Sequence, residues 1–157
     1  MKKLSYLLIA LAALLCVAVA QDSPWFDIKN CSFCKQLTAE PGLLDHMKYE
    51  YHNIDGGFMS VTMVDKEYQE AYLKAMSAME KVGEEMKVSG KMVPMCQFCT
   101  KFGEFMMKGT KTQVIHSALG DIFMMTSPDT AIVTELQAFA TRTSQELAKL
   151  NTETKAE

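Results

Sequence analysis

The chain has 157 residues, 48% of them hydrophobic and 22% charged, which suits one or two small globular domains and excludes collagen-like, low-complexity and disordered chains. Sixteen basic against nineteen acidic residues give a net charge of -3, so no basic stripe exists to track a phosphate backbone, and nucleic acid is not an expected partner.

Lys2 and Lys3 open the chain, an uncharged apolar run follows from Leu4 to Ala20, and Ala18-Val19-Ala20 places small residues where a signal peptidase reads them. This pattern predicts a secretory signal over residues 1–20 and a periplasmic or secreted mature protein. A retained membrane helix is disfavoured, because the run barely spans ~30 Å of hydrocarbon and ends in a cleavable sequence. Lipidation of Cys16 is disfavoured by the bulk of Leu15 before it. Cleavage before Gln21 removes two lysines, taking the net charge to -5, and leaves Cys31, Cys34, Cys96 and Cys99. No later stretch approaches eighteen apolar residues, so no transmembrane segment is expected after signal removal.

The remaining chain reads as one unit written twice. A shift of 65 positions lays Cys31, Phe33 and Cys34 on Cys96, Phe98 and Cys99; a shift of 64 lays His52 on His116, Gly56 on Gly120, Thr62 on Thr126 and Asp65 on Asp129. The boundaries implied are 21–88 for the first unit and 89–157 for the second, joined where Ser89-Gly90 and Pro94 punctuate the sequence.

Each unit predicts the same order of elements. Helical turns are expected from Cys31 to Thr38, with Asn30 as N-cap, and from Met95 to Lys108, with Gly109 as stop. Met47, Tyr49 and Tyr51 alternate with polar residues, and beyond Asp55-Gly56-Gly57 so do Met59, Val61 and Met63, which predicts a hairpin. Gln113 to His116 and Ile122 to Thr126 predict a second hairpin around Gly120. Tyr68, Tyr72, Ala75, Met79, Val82 and Met86 mark a closing helix in the first unit. Ile132, Leu136, Phe139, Leu147 and Leu150 mark one in the second, interrupted by Thr143. Each closing helix is expected to bury its stripe on the hairpin of its own unit. The fold class expected is α+β: two tandem αββα repeats whose hairpins pair into a four-stranded antiparallel sheet packed by helices.

Two cysteines at i and i+3 near a helix start bring their sulfurs to one turn, close to unsatisfied backbone N–H groups that favour thiolate. Four such cysteines in an exported protein admit three outcomes. They can form disulfides in any of three connectivities. They can bind a soft metal, copper(I) or zinc, either as four thiolates of one tetrahedral site or as one pair per unit together with the histidine, His52 or His116, that shares a slot before each hairpin turn. They can act as a dithiol redox pair, although Asp27-Ile28-Lys29-Asn30 makes a poor preceding strand. His46 has no counterpart and is read as incidental. The thirteen methionines are read mostly as packing, with Met92, Met95, Met106 and Met107 as the thioethers nearest the second motif in sequence. Motifs for nucleophilic hydrolases, phosphate loops and zinc proteases are absent, so catalysis is not the expected role.

The order of Cys-x-x-Cys, hairpin and helix, twice in an exported protein, resembles the metal-handling modules of the NosL-type copper accessory proteins and the wider TRASH-like, treble-clef group. The resemblance implies that Cys31, Cys34, Cys96 and Cys99 face a common metal. The leading expectation is therefore an exported soft-metal-binding protein, the alternative a disulfide-stapled module that meets a protein partner through its sheet or tyrosine-rich surface, and the third a dithiol redox protein.

Overall fold

The computed structural model describes residues 23–153; the signal and Cys16 readings fall outside them. Helix α1 (Lys35–Thr38) and a 3-10 turn (Leu43–His46) precede strands β1 (Met47–Ile54) and β2 (Gly57–Val64). A second 3-10 turn (Lys66–Tyr68) leads into α2 (Gln69–Ser89), followed by α3 (Gln97–Met107), β3 (Lys111–Ser117), β4 (Gly120–Thr126) and α4 (Thr130–Glu153). No helix among these residues is long and apolar enough to cross a membrane.

The four strands form one antiparallel sheet in the order β1-β2-β4-β3, so the fold is α+β with the two hairpins joined through their second strands. Matched turn to turn, the two hairpins set a different offset from the one the identical residues suggest. Ile54 pairs with Gly57 at the first turn and Ser117 with Gly120 at the second, so equivalent strand positions lie 63 residues apart, not 64. Gly120 therefore corresponds to Gly57, and His116 corresponds to Asn53 and not to His52. Because side chains alternate across a sheet, that single residue places the two imidazoles on opposite faces.

The closing helices divide. Helix α2 lies along α1 and buries Tyr72 and Ala75 against Met47 and Val64 of its own hairpin, as expected, whereas α4 lies on β1 and β2, the hairpin of the other unit. The apolar stripe of α4 explains this: Leu136, Phe139 and Ala140 are buried with Phe58 and Met125, and Tyr51 packs beside them. Gln137 Nε2 donates to the Ile54 carbonyl at 3.0 Å and Ser144 Oγ to that of Tyr51 at 3.5 Å, which tie the helix along the first hairpin. Thr143, which looked like an interruption, is fully buried in the stripe and satisfies its hydroxyl by donating to the Phe139 carbonyl one turn back.

Two clusters fill the space between sheet and helices. One is aromatic, with Trp25, Phe58, Phe105 and Phe139 joined by Phe98, Phe102 and Phe123. The other gathers Leu43, Met47, Val64, Tyr72 and Ala75. At about 25 cal/mol per Å² of apolar surface, each large ring buried there contributes roughly 2–3 kcal/mol. The cysteines form a third, which shares Phe98 with the aromatic cluster.

Candidate metal centre

The first Cys-x-x-Cys is held by a local turn. Asn30 donates its backbone N–H and its amide to the Asp27 carboxylate at 3.0 to 3.1 Å, and those bonds hold that carboxyl below the usual carboxylate range. Asn30 thus braces a turn, and the regular helix starts only at Lys35. Cys31 N–H bonds the Asp27 carbonyl and Lys35 N–H bonds that of Cys31, both at 3.0 Å, which curls the chain around the motif.

The second motif opens α3, with Cys96 as its N-cap in extended conformation. A helix start leaves four N–H groups without helical partners. Here Gln97 and Phe98 donate to the carbonyls of Pro24 and Trp25, and Thr100 donates to that of Cys96. The Cys99 N–H donates to Cys96 Sγ, matching the bond from Cys34 N–H to Cys31 Sγ in the first motif. Ser32 N–H reaches the Pro94 carbonyl at 2.8 Å and completes the backbone link between the motifs.

These links bring all four sulfurs to one place. Every pair of Sγ atoms among Cys31, Cys34, Cys96 and Cys99 lies within 4.8 Å. Three pairs that cross between motifs are in hydrogen-bonding contact: Cys31 with Cys99 at 3.5 Å, and Cys34 with Cys96 and with Cys99 at 3.6 Å each. Zinc–sulfur bonds of about 2.3 Å put the ligands of a tetrahedral ion about 3.8 Å apart, so the spacing fits one ion inside the group. Cys31 and Cys96 are only 1% exposed, and Phe33 and Phe98 pack against the group. Four cysteines thus cluster closely enough to bind a metal.

The surroundings favour charge on sulfur unevenly. Hydrogen bonds from the Cys34 and Cys99 thiols, with backbone N–H groups of Cys99 and Asp27, hold Cys96 well below the usual thiol range. The hydrogen bond to Cys96 pushes Cys34 up, and those to Cys34 and then Cys96 push Cys99 up, with burial adding to both. Burial also raises Tyr49 and Tyr51, whose phenols lie in the field of these sulfurs.

The candidate histidines are not among the ligand atoms brought together. His52 lies beside Glu50, with Nε2 at 3.0 Å from the carboxylate, and His116 lies beside Asp121, with Nδ1 at 2.7 Å. Both are exposed, His116 at 78%, whereas the sulfurs are buried. His46 stacks on Tyr68 and bonds Asp65. Met92, Met106 and Met107 are exposed. The sequence reading missed the residues 24–27, whose backbone joins the motifs; a carbonyl acceptor carries no side-chain signature. Trp25 is buried in the core, with the Arg142 guanidinium over its ring.

No protein-family model, curated protein or solved structure matches this chain.

Proposed function

We propose that the protein is an exported module that holds one zinc ion in a closed tetrathiolate centre, and that the ion fastens its two Cys-x-x-Cys turns together. The observation that carries this reading is the convergence of four sulfurs within 4.8 Å. Four protein ligands fill a tetrahedral site and leave no position for substrate or water, which is the pattern of a structural ion. Tetrahedral sulfur coordination favours zinc over copper(I), and so small a group leaves room for one ion, not an iron–sulfur cluster. Tandem duplication is supported by the 63-residue correspondence of the two hairpins.

Sulfur contacts that cross between the motifs support a second reading. If the chain is oxidised without metal, Cys31 with Cys99 and Cys34 with Cys96 are the pairs poised to join, and the same two turns become stapled covalently.

The test is to purify the protein from the exported fraction without reductant or chelator, then measure bound metals and free thiols after denaturation on one sample. One zinc per chain with four free thiols supports the zinc reading. Four blocked thiols and no metal overturn it in favour of the disulfide form.

A further inference from the structure

The sheet has two faces, and the helices cover one. Along the central strands, Phe58 and Val64 of β2 and Phe123 and Met125 of β4 join the helix-packed clusters. Met59, Val61 and Met63 of β2, Ile122 and Met124 of β4, and Ile115 of β3 alternate with the inward residues and so face the other way. Among the described residues none of the six belongs to a buried cluster; Ile115 is 44% exposed and the other five are half-buried. An antiparallel sheet with one solvated face normally turns polar residues outward. Here β2 turns Ser60 and Thr62 inward and three large apolar side chains outward.

We infer that two copies of this chain pack these bare faces together as an aligned sheet-on-sheet dimer. The face is complementary to itself. A two-fold axis lying between the sheets, perpendicular to the strands, and passing midway between the Glu50 and His52 rows sets Glu50 of one copy against His52 of the other. The same axis sets Val61 against Met59 and Ile122 against Met124, apolar on apolar, while Met63 meets the side-chain-free Gly57. An acid thus meets an imidazole at the edge, and a long side chain meets a glycine. Aligned sheets pack about 10 Å apart and about 30° from parallel, so the match is closest near the centre, at Val61 and Ile122.

The area is sufficient. Four strands of seven or eight residues, about 4.8 Å apart and rising about 3.4 Å per residue, cover roughly 450 Å² in projection. The accessible surface of a side-chain-corrugated face exceeds its projection, which brings it to the roughly 600 Å² per partner where specific interfaces begin.

Analytical ultracentrifugation of the purified, metal-loaded protein across micromolar concentrations tests this. The wild type is expected to sediment as a dimer. Val61→Lys is expected to sediment as a monomer with unchanged helical circular dichroism and metal content, because an isolated chain exposes that face to water. Glu50→Lys, at an exposed edge position that leaves folding intact, is expected to raise the dimer dissociation constant at least about tenfold. Glu50→Lys combined with His52→Glu is expected to restore it. A wild type that is monomeric at every concentration, whatever else binds the face, overturns the inference, as does a dimer that survives both Val61→Lys and Glu50→Lys.

Discussion

Gly57 and Gly120 each lie against the backbone of the opposite hairpin: a Cβ on Gly57 would stand 2.0 Å from the Met125 carbonyl oxygen, and one on Gly120 would stand 2.1 Å from that of Thr62. The relation is reciprocal, since Met125 stands to Thr62 as Gly120 stands to Gly57, 63 positions on. Close approach of β2 and β4 therefore requires glycine at both places, and Gly120 also takes a φ of 136°, which L side chains avoid. Gly57→Ala and Gly120→Ala should each destabilise by roughly 3 kcal/mol, with the larger effect at Gly120, as read by urea unfolding. A loss under about 0.5 kcal/mol at both sites would mean that the central strands do not approach as described.

Loss of metal should be all or none. Cys31→Ser and Cys96→Ser lie in different motifs but share one site, so each should remove the whole of the bound zinc. Two independent sites would instead lose half in each variant. Chelation of the wild type should lower the thermal midpoint sharply, because binding free energy at a structural zinc site is folding free energy.

Replacing both candidate histidines should leave the metal in place. His52→Ala with His116→Ala removes two imidazole–carboxylate contacts at the surface, which are worth at most about 1 kcal/mol each. Metal analysis should return the wild-type stoichiometry. A drop would assign an imidazole to the centre.

Alkaline pH should unfold the protein through its tyrosines. Tyr49, Tyr51 and Tyr72 are all pushed above the ordinary phenol value of 10.0 by burial, and Tyr72 further by its 2.5 Å hydrogen bond to Asp121. A raised phenol pKa means that the folded state holds protons the unfolded state gives up. Stability is therefore full below pH 10 and falls as pH rises above it. Tyrosinate absorbance should appear together with loss of circular dichroism. Phenols that ionise near pH 10 in a still folded chain would contradict this.

What was legible in the sequence follows from period and spacing. The i, i+3 cysteines, the hairpin turn at Asp55-Gly56 and the helix stripes announce themselves locally, and all correspond to turns and elements of the structure. Register and facing did not. Aligning identical residues paired His52 with His116, but pairing across a hairpin is set by its turn, and one residue of difference reverses the face. Strand β2 is apolar on both sides, Phe58 and Val64 on one and Met59, Val61 and Met63 on the other, so its alternation could not say which side meets the helices. The exchange of α4 onto the first hairpin depends on contacts between distant segments, which no local pattern encodes.

X-ray absorption of the purified protein, recorded at the edge of the metal it carries, is the decisive measurement. One zinc per chain with four sulfur neighbours at about 2.3 Å is expected. A shell containing nitrogen or oxygen ligands, or a preparation whose absorbing metal is copper in two- or three-fold coordination, would contradict it.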